Sequence, residues 1–201
     1  MKYMTRAIIC AETAERLNLH DDYGWHQIAW LAFPGRPSSA RHFLTRIDYV
    51  RDQVQMLILS PDIPVRPEGW VDSRSSWETL AIRNGFLSSK YYSFKVRACP
   101  TKRDKTSGRR VALKMMEECE EWLIRKIGNA GCEVDQDRLS IAIEGYRSFT
   151  PPTGCNGAHY SVDYCGILTV SDREKFTVAH KNGIGTAKAY GYGMLLLSAL
   201  Q

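Results

Sequence analysis

The chain has 201 residues, of which 44% are hydrophobic and 24% are charged, proportions that are typical of a globular protein. No apolar stretch is long enough to cross a membrane, so we expect no membrane partner. The formal net charge of +5 favours an anionic partner. The six cysteines include no Cys-x-x-Cys pair, which argues against a zinc site and favours reduced thiols. Together with a charged N-terminus, this predicts a cytoplasmic protein.

Hydrophobic periodicity predicts six elements in the first half of the chain, in the order β-α-β-β-α-β. They are a strand over residues 3–10, a helix that begins at Asp21 or Asp22 and stops before Pro34, strands over 43–49 and 54–60, a helix over 75–83, and a strand over 91–99. The strands over 43–49 and 54–60 are close enough in sequence to pair as a hairpin.

The same order of elements recurs in the second half. It comprises a strand over 110–113, a helix over 114–127, strands over 139–149 and 160–170, a helix from Asp172 to about residue 180, and a last strand from about residue 194. We therefore predict an α+β fold with two tandem ferredoxin-like domains, over residues 1–100 and 108–201, joined by a basic linker at 101–107.

Tyr23 and His26 are the candidate catalytic residues of the first predicted helix. Their spacing places them on one face of its first turn. The positive end of the helix dipole disfavours a charged imidazole, and a neutral ring can accept a proton near neutral pH. The pair suits metal-free acid–base catalysis on an RNA 2′-hydroxyl. The alternative is that His26 only packs or caps the helix. His20 is a second candidate for the same role.

Two further stretches are candidate phosphate-binding elements. Residues 95–114 contain eight lysines and arginines and only one acidic residue, which indicates a phosphate-binding surface or, alternatively, a solvated linker. Residues 183–193 contain four glycines and one lysine, Lys188. Such a loop can bind an anion through its backbone N–H groups, or it can be an ordinary turn before the last strand.

Several of these motifs, taken in order, resemble one family. The motifs are DYGWHQIAWLAFP at 22–34, FLTRID at 43–48, FKVRACPTK at 94–102, GRRV at 108–111 and GIGTAKAYGYGML at 183–195. Together they resemble the CasE-type CRISPR RNA endoribonucleases of the RAMP superfamily, and the resemblance extends along the whole chain.

The resemblance implies an enzyme that needs no metal or other cofactor. It would bind the repeat hairpin of precursor crRNA and cut at the 3′ base of this hairpin through 2′-hydroxyl attack. It would then remain bound as a subunit of the Cascade complex. Tyr23 and His26 match the catalytic residues of the family.

The residues predicted to bind RNA are Arg36, Lys102, Arg103, Lys105, Arg109, Arg110, Gly183, Gly185 and Lys188. Phosphate contacts from such residues fit a stem that proteins recognise mainly by its shape. The alternative function is a non-catalytic RAMP-type subunit that binds crRNA.

Overall fold

A computed structural model of the protein describes residues 2–35, 41–70, 75–151, 154 and 156–200. The chain divides into two compact units. The first unit consists of Met1–Arg83, Ser148–Ala158 and Ala189–Gly191, and the second of Asn84–Arg147, His159–Lys188 and Tyr192–Gln201. Each unit is therefore assembled from segments that are distant in sequence.

In its described residues, the first unit contains a four-stranded antiparallel sheet and two α-helices. In chain order its elements are β1 (Tyr3–Cys10), α1 (Ala11–Arg16), α2 (Asp22–Leu31), β2 (Leu44–Val50), β3 (Gln53–Ser60) and β4 (Ser76–Ala81). The strand order is β2-β3-β1-β4, and β2 and β3 form the predicted hairpin. The central strand β1 places Ala7 opposite Met56 of β3 on one side and opposite Trp77 of β4 on the other.

The core of the first unit lies between this sheet and α2. The buried face of α2 carries Trp25, Ile28 and Ala29, which share one hydrophobic cluster with Ala7 and Met56. Fully burying an isoleucine such as Ile28 contributes about 1.5–3 kcal/mol. This packing fixes which face of α2 is directed away from the core.

The prediction of a helix over residues 75–83 is wrong, because this segment forms the edge strand β4. Its Trp77 ring contacts the Trp70 ring edge-on, at 5.5 Å between centroids. The Thr79 hydroxyl forms a 2.8 Å hydrogen bond with the Thr5 hydroxyl of β1. Aromatic and β-branched side chains favour a strand when a neighbouring strand is available to pair with them.

The described part of the second unit combines a five-stranded sheet, a short hairpin and two α-helices. In chain order its elements are β5 (Tyr91–Ala98), β6 (Thr101–Arg103), β7 (Arg110–Ala112), α3 (Met116–Asn129), β8 (Cys132–Val134), β9 (Ser140–Phe149), β10 (Gly157–Val170), α4 (Arg173–Asn182) and β11 (Leu196–Ala199). The ends of β9 and β10 that meet at their connecting loop belong to the first unit. The strand order is β11-β5-β10-β8, and β9 pairs with β10.

The strand over 91–99 was expected to complete the first domain, but β5 lies inside the second sheet, antiparallel to both β10 and β11. Its Tyr92, Phe94 and Val96 are buried in the same cluster as Trp122 and Leu123 of α3. The alternation along β5 predicted a strand correctly. Its pairing depends on β10 and β11, which come much later in the chain.

Both units combine helices with antiparallel sheets, so the predicted α+β class with two ferredoxin-like domains is confirmed. The stretch predicted as a basic linker begins with β6, which pairs with β7 so that Thr101 lies opposite Ala112. No helix within the described ranges has the length and apolar character needed to cross a membrane.

Candidate active site

The candidate site lies in the first unit, at the N-terminus of α2. Asp21 is the N-cap of this helix. One oxygen of its carboxylate accepts hydrogen bonds from the backbone N–H groups of Tyr23, at 3.0 Å, and Gly24, at 2.9 Å. The other oxygen accepts the N–H of Thr150, at 2.9 Å. Asp21 therefore holds the first turn of α2 and the β9–β10 loop together.

Gly24 allows the start of α2 to lie against the preceding backbone. A Cβ at this position would be 2.8 Å from the carbonyl oxygen of Asn18, which is too close for a side chain. On the accessible face of the same turn, the rings of Tyr23 and His26 lie 6.3 Å apart between centroids. Both side chains are half-buried. The predicted proximity of Tyr23 and His26 is therefore present in the structure.

A backbone carbonyl determines the protonation of the His26 ring. Nδ1 of His26 lies 2.9 Å from the carbonyl oxygen of Ala189. A carbonyl oxygen can only accept, so Nδ1 carries the proton and the neutral ring keeps its lone pair on Nε2. Within the described part of the chain, Nε2 has no hydrogen-bond partner. The ring therefore presents a proton acceptor at Nε2.

The environment of His26 favours this neutral form. Burial lowers the pKa of His26 below its ordinary value, and the positive charge of Arg41 lowers it further. The hydrogen bond to the Ala189 carbonyl has the opposite effect and does not cancel the other two. The sequence predicted the neutral ring from the helix dipole, whereas desolvation is the largest cause in the structure.

Aromatic rings surround His26. Its ring lies 5.4 Å from that of Tyr190, at an interplanar angle of 35°. Tyr190 in turn lies 4.8 Å from Phe149, at 31°. The Trp30 ring contacts His26 edge-on, at 6.2 Å. Sequence reasoning missed Tyr190, Phe149 and Ala189 as parts of this site, although it had singled out the glycine-rich stretch that contains Tyr190.

Five of the predicted basic residues lie in the second unit, on or beside the β6–β7 hairpin. Nζ of Lys102 is bonded to the Glu118 carboxylate at 2.6 Å, and Arg103 donates to the Gly108 carbonyl at 3.2 Å. In the turn between the strands, Asp104 accepts the backbone N–H groups of Thr106 and Ser107. The segment thus forms a paired hairpin inside the second unit, and its cations are exposed.

The remaining three predicted cations of this hairpin are Lys105, Arg109 and Arg110. All three are exposed, and their side chains form no ion pair or hydrogen bond with any residue that the structure describes. Surface cations in this state can bind phosphate groups without first breaking an internal ion pair. Arg36, which was also predicted to bind RNA, lies outside the described residues.

The predicted glycines of the 183–193 stretch have structural reasons to be glycine. Gly183 ends α4 with φ of 70°, in the left-handed region that disfavours other residues. A Cβ at Gly185 would lie 2.9 Å from the Trp122 ring. Lys188 is half-buried in the 3₁₀ turn Lys188–Tyr190. The predicted RNA contacts of Gly183, Gly185 and Lys188 stay predictions.

The exposed His20 precedes α2. Within the described ranges, no three His, Cys, Asp or Glu side chains are grouped so that they could hold a metal ion.

Comparison with known proteins identifies the family. A family model described as CRISPR associated protein matches residues 2–199, so the chain belongs to this family. Over 98% of its length, the chain is 28% identical to the CRISPR system Cascade subunit CasE of Escherichia coli strain K12, all of which is covered. The resemblance to CasE-type proteins that the sequence motifs indicated is confirmed.

Solved structures show the same fold. A structure described as CRISPR endoribonuclease Cse3 bound to 19 nt RNA matches with a TM-score of 0.83 and 22% identity, covering 98% of this chain and 99% of that one. The CRISPR-associated protein Cas6e of E. coli K-12 matches with a TM-score of 0.72 and 25% identity, covering 98% of this chain and all of that one.

Proposed function

We propose that this protein is a metal-independent endoribonuclease that binds the hairpin of a CRISPR repeat and cleaves precursor crRNA at the 3′ base of the hairpin. The observation that carries the proposal is the state of His26. Its imidazole has a lowered pKa, its Nδ1–H is bonded to the Ala189 carbonyl, and its Nε2 is available beside Tyr23. Relatives described as endoribonucleases share the fold and support the proposal.

In the proposed reaction, Nε2 of His26 accepts the proton of the 2′-hydroxyl next to the scissile phosphate, and Tyr23 positions this hydroxyl. The 2′-oxygen bonds to phosphorus, and the bond from phosphorus to the 5′-oxygen breaks. The leaving 5′-oxygen gains the proton that the imidazolium releases, directly or through water. The products are a 2′,3′-cyclic phosphate and a 5′-hydroxyl. Positioned proton transfer of this kind contributes about 10²–10⁴-fold to a rate.

Binding of the RNA stem is assigned to cations of the second unit. Lys105, Arg109 and Arg110 are exposed and have no partner among the described residues, which suits contacts to phosphate groups. Because the E. coli relative is named a Cascade subunit, we also propose that this chain keeps its cleaved RNA and joins other Cascade subunits.

The test is a cleavage assay with the purified full chain and the repeat RNA from its own CRISPR array. In excess EDTA the RNA should be cut once, leaving the cyclic phosphate or its opened form. An RNA with a single deoxyribose at the cut position should bind with the same Kd and remain uncut. Cleavage that requires added Mg²⁺ would contradict the mechanism.

The same assay distinguishes the proposed endoribonuclease from the alternative, a non-catalytic subunit. A repeat RNA that is bound tightly and never cut, whether or not a divalent ion is present, would support a non-catalytic crRNA-binding subunit. Tight binding with cleavage in EDTA would exclude it.

A further inference from the structure

A series of contacts leads from the β9–β10 loop to the imidazole of His26, and all of it lies within the first unit. Phe149 at the end of β9 contacts Tyr190 at 4.8 Å and 31°. Tyr190 contacts His26 at 5.4 Å and 35°. Tyr190 is thus in contact with an aromatic ring and with the imidazole at moderate tilt angles, in the range of favourable aromatic pairs.

Gly157 makes room for this series. A Cβ at Gly157 would overlap the ring of Phe149, its nearest neighbour being the ring atom Cζ. Gly157 is not one of the glycines with positive φ, so its requirement for glycine is one of space and not of backbone conformation. Phe149 can therefore occupy its position beside Tyr190 only because residue 157 has no side chain.

The imidazole needs such a support. Its bond to the Ala189 carbonyl leaves Nε2 as the proton acceptor only while the ring keeps its orientation. Rotation about χ2 would break this bond and allow the tautomer that carries the proton on Nε2, which cannot accept a proton there. The adjacent backbone also helps, because Tyr190 directly follows Ala189 in the chain.

We propose that Tyr190 is a positioning residue for His26: its ring holds the imidazole in the orientation that leaves Nε2 unprotonated. The Tyr190 ring is supported by Phe149, for which Gly157 leaves space. The catalytic consequence of this inference rests on the proposed function. The tautomer itself does not, because it is a property of the protein without RNA.

The first experiment is ¹⁵N NMR of the His26 ring nitrogens in the full chain, at a pH above the pKa of His26. In the wild-type protein we expect one tautomer, protonated on Nδ1. In Tyr190→Leu we expect the Nε2-protonated form to increase by up to about tenfold, the equilibrium effect of losing one aromatic pair. Tyr190→Phe keeps the ring and should restore the wild-type tautomer.

Two substitutions act as matched comparisons. Gly157→Ala should change the His26 tautomer in the same direction as Tyr190→Leu, because it displaces Phe149. Gly128→Ala is the control: Gly128 lies in α3, and a Cβ there would meet no atom within 4 Å. The control for Tyr190→Leu is Tyr91→Leu, which removes an exposed ring from β5 and should leave the His26 tautomer unchanged.

The second experiment measures single-turnover cleavage by the same variants, with Kd taken from the deoxy-substituted RNA. We expect Tyr190→Leu and Gly157→Ala to leave Kd unchanged. In each variant, the cleavage rate should fall by about the same factor as the fraction of His26 that is protonated on Nδ1. A rate loss that follows a loss of binding would contradict the positioning role.

The inference is overturned if folded Tyr190→Leu keeps the single wild-type tautomer, or if Tyr190→Phe is as impaired as Tyr190→Leu, since the hydroxyl and not the ring would then be responsible. Failure of the proposed function gives a different result. In that case the wild-type protein would not cut RNA, while the tautomer measurements would still respond to Tyr190 as described.

Discussion

The two candidate functional regions differ in how their charged and polar groups are held. In the first unit, His26 is half-buried, bonded to the Ala189 carbonyl and surrounded by aromatic rings. In the second unit, Lys105, Arg109 and Arg110 are exposed on a hairpin whose fold depends mainly on backbone pairing and on the turn at Asp104.

This difference corresponds to two kinds of work. Proton transfer requires a nitrogen at a fixed position with a suitable pKa, and both are obtained by partial burial and a defined hydrogen bond. Attraction of phosphate groups acts over a longer range and tolerates mobile side chains. We therefore expect substitutions in the first region to change the chemical step, and substitutions in the second region to change binding.

The largest expected effect is that of His26→Ala. Removal of the proton acceptor should reduce single-turnover cleavage by about 10²–10⁴-fold. Kd for the deoxy-substituted repeat should stay within about twofold of the wild type, since phosphate contacts dominate affinity. Quantified gel analysis of end-labelled RNA measures the rate, and filter binding measures Kd.

The matched control for His26→Ala is Gln27→Ala, an exposed position on the same helix. It should cleave at the wild-type rate. In the wild-type protein the rate should fall on the acid side as Nε2 becomes protonated, at a lower pH than for an ordinary histidine, because burial lowers the pKa of His26. Full activity in His26→Ala would transfer the role to another residue, of which the exposed His20 is the first candidate.

Local sequence patterns were sufficient for much of the fold and for the central pair of the site. Periodicity predicts the strand over 3–10, and a capping residue predicts the helix that begins after Asp21. In each case the residues that give the signal lie close together in sequence. The placement of Tyr23 and His26 on one face of the helix follows from their spacing alone. These features depend on neighbours in sequence, and short-range physics determines them.

Features that depend on distant residues could not be predicted. β4 is a strand because β1 pairs with it, and β5 belongs to the second sheet because β10 and β11 flank it. The Ala189 carbonyl that fixes the tautomer of His26 is 163 residues away from it in sequence. No local pattern indicates which carbonyl will face a histidine, so the acceptor nitrogen could be assigned only from the structure.

An intermediate effect is expected in the basic hairpin. Arg109→Ala and Arg110→Ala, made separately, should each weaken binding of the deoxy-substituted repeat by up to about tenfold at physiological salt and reduce the slope of log K against log salt by about 0.7–0.9. The rate of the chemical step at saturating protein should not change. Titrations at several salt concentrations measure both quantities.

Arg125→Ala is the control for this pair, because it removes the same charge from an exposed position of α3. Its effect on the salt slope should be smaller than that of either hairpin substitution. Equal slopes for Arg125→Ala, Arg109→Ala and Arg110→Ala would show that the hairpin contributes only to the general positive charge.

The smallest expected effect is that of removing an N-cap, and it can be compared between the two units. Asp21→Ala removes the acceptor for the N–H groups of Tyr23, Gly24 and Thr150 and should lower the free energy of unfolding by about 1–2 kcal/mol. Asp172→Ala removes the corresponding bond to the Lys175 N–H at the start of α4 and should also lower stability. Urea unfolding monitored by circular dichroism measures both.

Cleavage should distinguish the two caps even where stability does not. Asp21 holds the turn that carries Tyr23 and His26 and links it to the β9–β10 loop, at whose start Phe149 contacts Tyr190. Asp21→Ala should therefore slow the chemical step at temperatures where the variant is fully folded, whereas Asp172→Ala should leave this rate unchanged. If both variants cleave at the wild-type rate, the start of α2 is not what limits the geometry of the site, and the orientation of His26 depends on the contacts to its ring alone.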